Sequence, residues 1–140
     1  MARLGGFVAL TAIALTTSGH ASADGALAVG ITANLARDGI AVGAAINQAS
    51  ADAAQDAALR RCHNFKRAAK AAAQCQPVGT FKDECYAVSL DPTPGMPGAG
   101  WAIAATRAQA EEQALDKCKA TAGSARREAC RIEESKCDGM

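Results

Sequence analysis

No pair of cysteines in this chain stands as Cys-x-x-Cys, and histidine is nearly missing, with only His20 and His63 in 140 residues. Structural zinc sites bring their ligands in close pairs, so neither a metal site nor a cofactor is expected. The same missing spacing removes the usual motif of a thiol oxidoreductase. Excess charge of one sign is also absent: fifteen Lys and Arg stand against fourteen Asp and Glu. A dedicated nucleic-acid binder needs a surplus of basic side chains along its contact face, so nucleic acid is not an expected partner. Beyond residue 23 no apolar run approaches the roughly 20 residues that cross a bilayer as a helix, and no transmembrane segment is expected in the mature chain. No serine has the sequence context of a nucleophile elbow.

The first residues read as an export signal. Arg3 supplies a basic start, an uncharged apolar run follows to Leu15, and Ala21, Ser22 and Ala23 give small residues at a signal-peptidase site before Asp24. Cleavage after Ala23 is expected, placing the mature chain in the periplasm or outside the cell. An uncleaved anchor is the alternative, and no lipid-attachment cysteine is present at the mature terminus. Removal of residues 1–23 leaves 117 residues, the size of one domain, and costs one basic side chain, so the net charge falls to about zero.

Six cysteines, Cys62, Cys75, Cys85, Cys118, Cys130 and Cys137, form two spaced triplets. In an oxidising compartment an even set of this kind is a disulfide framework. The triplets follow an internal repeat. Residues 50–62 and 106–118 align without a gap, each ending in Ala-Leu-x-x-Cys, and Gly39 to Val42 parallels Gly100 to Ile103. Ahead of these lie two more apolar stretches, 26–31 and 86–90. Each unit reads as strand, turn, strand, helix.

Both helices carry start signals: Ser50 is an N-cap with Asp52 in the first turn, and Thr106 is an N-cap with Gln109 at the capping-box position. Their bodies are mostly alanine, which favours helix and permits close approach to a sheet, with Leu59 and Leu115 as the bulky anchors. Residues 91–100, rich in Gly and Pro, form a loop between strands. Residues 63–74 either extend the first helix or form a second short one, which Pro77 ends. Residues 78–81 and 85–90 look like a hairpin, and 131–133 a last strand. The expected fold is α+β, with two helices on one face of a largely antiparallel sheet.

These motifs resemble domain-of-unknown-function family 4189, a group of small exported bacterial domains. The resemblance covers about residues 26–138. It is carried by the helix end at Ala57 to Cys62, the Cys75 to Phe81 and Cys85 to Val88 strands, and Gly100-Trp101 followed by the helix to Cys118. It implies export and disulfide stabilisation and supplies no catalytic residues. A longer Lys/Ala-rich insert after Cys62 and few aromatics in the first strand depart from the family pattern.

Six cysteines allow fifteen pairings, and spacing alone does not choose among them. The repeat favours Cys62 with Cys75 and Cys118 with Cys130, leaving Cys85 with Cys137. His63 adjoins Cys62, but neighbours on a helix project about 100° apart, so a Cys–His catalytic pair does not follow; an exposed or capping role is expected. Glu111-Glu112 and Glu133-Glu134 are read as solvated faces rather than acid–base pairs. Trp101 is read as a core residue rather than an interface anchor. Arg60, Arg61, Lys66, Arg67 and Lys70, interleaved with Phe65, form a basic cluster that either solvates a helix face or meets an anionic envelope partner. The leading expectation is an exported, non-catalytic binding module for a protein or anionic envelope component. The alternatives are a small secreted hydrolase-like enzyme and an inhibitor or immunity-type protein. Oligomeric state is not legible.

Overall fold

The structure is a computed structural model that describes residues 23–140. The leader expected over residues 1–23 lies, but for Ala23, outside the described residues. The elements run β1 (Asp24–Ile31), α1 (Leu35–Asp38), β2 (Ile40–Gln48), α2 (Ala51–His63), α3 (Ala69–Ala72), β3 (Gln76–Phe81), β4 (Cys85–Leu90), β5 (Ala99–Ala104), α4 (Arg107–Ala122) and β6 (Arg131–Cys137). Short 3-10 turns at Lys66–Ala68 and Arg127–Ala129 precede α3 and β6. The fold is α+β with two strand-strand-helix repeats.

Each repeat is completed by a third strand. The first builds an antiparallel sheet of order β2-β1-β3 and the second one of order β5-β4-β6. The expected last strand is present as β6. The hairpin expected across residues 82–84 is not formed, because β3 pairs with β1 and β4 pairs with β5 and β6. Gly25 makes room for this pairing: a Cβ there would lie 2.3 Å from the Phe81 ring that β3 seats beside β1.

Strand alternation sorts side chains by size between two faces. Ala26, Ala28, Ala41 and Ala45 meet Ala54, Ala57 and Ala58 of α2, while Ala87, Ala102 and Ala104 meet Ala110 and Ala114 of α4. The bulky residues take the opposite faces, where Leu27, Val29, Ile40 and Phe81 of one sheet pack on Tyr86, Val88 and Ala99 of the other. The result is four layers, helix on sheet on sheet on helix. Each sheet carries its helix on one face and spends the other on its partner sheet. Leu59 and Leu115 only flank these layers, and the helices are seated by their alanine faces and by Cys62 and Cys118.

Helix and strand approach so closely that glycine is required at one point in each unit. A Cβ on Gly43 would lie 2.0 Å from the Ala58 carbonyl oxygen, and one on Gly100 2.1 Å from that of Ala114. The true counterpart of Gly100 is therefore Gly43, not Gly39. With these two glycines matched, the first unit is one residue longer before its helix, the extra residue of a bulge in β2 where Asn47 takes a left-handed conformation (φ 55°). That bulge locks to the C-terminus: Asn47 N–H donates to Asp138 Oδ1 at 2.6 Å, and Gly139 N–H donates to Asn47 Oδ1 at 3.0 Å.

Ser50 and Thr106 cap α2 and α4, accepting from the Ala53 and Gln109 amides at 3.2 Å each. Such a cap contributes about 1 kcal/mol. Three disulfides join Cys62 to Cys75, Cys118 to Cys130 and Cys85 to Cys137. The first two tie each helix end to the start of its third strand. The last joins directly opposed residues of β4 and β6. Among the described residues no helix is long and apolar enough to cross a membrane.

Candidate functional site

The two sheets part at one end, where the β1–β2 turn and the β4–β5 loop face each other, and leave a cleft of about 400 Å3. That volume falls in the usual range for small-molecule pockets. Its walls are mostly apolar, with Ile40 and Val42 from one sheet and Val88 and Leu90 from the other. Phe65, between α2 and α3, and Met96, at the loop tip, close the sides.

Ion pairs hold both loops. In the β4–β5 loop, Asp91 has a fully buried side chain and accepts two hydrogen bonds from Arg126, Nε to Oδ2 at 3.0 Å and Nη2 to Oδ1 at 2.9 Å. The Thr93 amide donates to Asp91 Oδ1 at 2.9 Å, and Arg126 also reaches Thr93 Oγ1 at 2.6 Å. The Arg126 guanidinium, followed by the Thr93 amide, pulls the Asp91 carboxyl down to about 2. In the β1–β2 turn, Asp38 accepts from Arg37 and from the Thr32 hydroxyl at 2.8 Å, with the Lys70 ammonium 3.6 Å away. Hydrogen bonding by Arg37 and then Thr32 holds this carboxyl well below the ordinary carboxylate range.

The two arrangements correspond. Lys70 sits between Cys62 and Cys75, and Arg126 between Cys118 and Cys130. Each disulfide-closed segment thus projects a cation onto the carboxylate of its own strand–strand connection. Residues of both connections line the cleft.

Along the β6 rim, Glu134 is half-buried and receives a hydrogen bond from the Tyr86 hydroxyl, with Lys136 at 2.7 Å. Burial pushes the Glu134 carboxyl up, but Lys136 and Tyr86 together outweigh it and leave it below its ordinary value. Burial, followed by Glu134, drives the Tyr86 phenol far above its usual range. Glu134 is thus partly exposed and paired at the rim, and Glu133 beside it is exposed, so the two lie on a largely solvated edge as read from the sequence. Glu111, half-buried on α4, accepts from the Ser135 hydroxyl at 2.5 Å, while Glu112 is exposed.

The remaining sequence candidates occupy other places. His63 is exposed, its Nδ1 is 2.8 Å from the Ala72 carbonyl oxygen, and Cys62 beside it is bonded to Cys75. With its partner a carbonyl, Nδ1 is the donor, and the ring closes the end of α3. Trp101 is half-buried between the sheets, consistent with a core role. The five basic residues are all exposed, and three of them have partners within the chain. Arg61 donates to the Ala44 carbonyl on the edge of β2, Arg67 lies over the Phe65 ring at 5.6 Å, and Lys70 is next to Asp38. Among the described residues no group of three or more metal-ligating side chains gathers.

Asp38, Asp91, Arg126 and Tyr86 were not singled out from the sequence. Asp91 and Arg126 are 35 residues apart, so no local pattern links them. The legible signal was Asp91-Pro92-Thr93, a turn in which an aspartate side chain accepts from the amide two residues on.

The architecture and cleft define a disulfide-stapled, four-layer α+β domain with an inter-sheet cavity. The chain belongs to a family whose model, Domain of unknown function (DUF4189), matches residues 24–137. No curated protein and no solved structure matches the chain significantly.

Proposed function

We propose that this is an exported binding module whose ligand enters the cleft between the two sheets. The observation that carries the reading is the cleft itself: about 400 Å3, apolar in its walls, with both loops anchored by ion pairs before any ligand arrives. A prebuilt cavity loses little ordering entropy on binding. Two of its carboxylates are already engaged, the buried Asp91 by Arg126 and the rim Glu134 by Tyr86 and Lys136, which suits holding a shape more than moving protons. Export is supported by three disulfides, which persist in oxidising compartments, and by β1 starting at Asp24, directly after the expected cleavage position. Arg60 and Lys66, exposed and without an ion pair among the described residues, are the free part of the basic cluster for an anionic envelope component.

The test compares ligands that the oxidised protein and its Ala36→Trp variant retain from an envelope extract, identified by mass spectrometry. Ala36 is half-buried and lines the cleft, so the indole blocks it. Retention by the native protein and loss by the variant is the expected result. Equal retention by both would remove the cleft from the reading, and turnover of an envelope substrate without retention would favour the enzyme alternative.

A further inference from the structure

Two opposite charges stand unspent at the cleft. Glu133 is the extra residue of a bulge in β6, where Glu134 pairs with Val88 and Ile132 with Ser89, so it falls outside the ladder between them. Bulges commonly re-aim a side chain beside a binding site. Here the bulge brings a carboxylate to the cleft, exposed and without a hydrogen bond or ion pair among the described residues. Arg67 approaches the same cleft from the turn before α3. Its guanidinium lies over the Phe65 ring at 5.6 Å, a contact that holds the group while leaving its N–H edge available. Arg67 forms no ion pair with Glu133 or with any other described carboxylate.

Elsewhere around the cleft the charges are matched, Asp91 with Arg126, Asp38 with Arg37 and Lys70, and Glu134 with Lys136. Among the described charged residues lining the cleft, only Arg67 and Glu133 remain unpaired, and they are of opposite sign. Resting on the reading of the cleft as a binding site, we infer that its ligand is a small zwitterion with an apolar body, of the kind a short apolar peptide with free termini provides. The ligand carboxylate meets Arg67, the ammonium meets Glu133, and the apolar side chains enter between Val42 and Leu90. A charged planar fork suits a carboxylate, and a lone carboxylate suits an ammonium. A fatty acid would leave Glu133 unmatched, and an alkylamine would leave Arg67 unmatched.

The experiment is calorimetric titration of the oxidised full chain, at neutral pH, with leucyl-phenylalanine, its N-acetyl form, its C-terminal amide, decanoate and decylamine. Leucyl-phenylalanine should bind, and blocking either terminus should weaken it about tenfold, the scale of one lost charge-assisted contact. Glu133→Gln should weaken the free peptide similarly and abolish the effect of acetylation; Arg67→Gln should do the same for amidation. Both residues are exposed, so neither change threatens the fold. Blocked and free peptides binding equally would overturn the inference. Decanoate or decylamine binding where the peptide does not would overturn it while leaving the cleft as a binding site, and no binding by any of the five probes would count against both.

Discussion

Asp91 and Arg126 are joined by two parallel hydrogen bonds, Oδ2 to Nε at 3.0 Å and Oδ1 to Nη2 at 2.9 Å, across 35 residues of chain. The pair fastens the β4–β5 loop to the segment that the Cys118–Cys130 bond encloses. Replacement of Arg126 by Gln should release the loop while leaving the four layers intact. Amide hydrogen exchange over residues 92–98 should then accelerate at least about tenfold, and exchange in β4 should stay unchanged. Unchanged exchange in the loop would show that its Pro and Gly residues, not the ion pair, hold it.

Acid should loosen both walls of the cleft. Asp91 and Asp38 have folded-state values below those of the unfolded chain, Asp91 at about 2. For a depressed carboxyl the stabilisation is complete above the unfolded value, near 4, and is lost as pH falls through the folded one. The contribution of Asp91 should therefore be flat from neutral pH to about 4 and fade towards pH 2. Thermal unfolding of the native protein and of Asp91→Asn should converge as pH falls across that window. A constant gap between the two would rule out this linkage.

Gly43 and Gly100 should respond alike to substitution. Alanine at either position drives a methyl group into helix backbone 2.0 or 2.1 Å away, and the helix must lift. Overpacking of this kind costs about 1–3 kcal/mol, measurable by urea unfolding of Gly43→Ala and Gly100→Ala. Gly95→Ala, where a Cβ would meet no atom within 4 Å but φ is +82°, should show only the smaller backbone penalty, about 1 kcal/mol.

Removal of the Cys62–Cys75 or Cys118–Cys130 bond by paired Cys→Ala changes should cost about 3 kcal/mol each in the chain-entropy account, since the loops they close are of similar length. Mass mapping of the exported protein under non-reducing conditions should recover the three bonded pairs and an N-terminus at Asp24. Free thiols at these positions would contradict the bonds, and an intact leader would contradict cleavage.

The local elements were legible because their signals are local. Ser50 and Thr106 mark helix starts through a hydrogen bond three residues long, and alanine sets helix propensity residue by residue. The repeat was visible because residues 50–62 and 106–118 satisfy the same contact, a small-residue face laid on a strand. The alignment of the strands before the helices failed by four residues, Gly39 being matched to Gly100 in place of Gly43, because the close helix–strand contact that makes these glycines equivalent is tertiary.

Residue order alone thus determined two helices, their caps and the alternation of small and large side chains along each strand. Alternation does not say what the large face meets. Only the tertiary structure decided that Leu27 and Val29 face Tyr86 and Val88 across two sheets, and that β3 joins β1. The turn at 82–84, with Asp83 at φ 54°, would serve a hairpin locally. Strand partners are chosen by packing between residues far apart in the chain, here with Phe81 seated in the space Gly25 leaves. The cleft belongs to the same level: it exists because two connections, each held by a carboxylate and a distant cation, meet at one end of the sandwich, and no segment read by itself contains both.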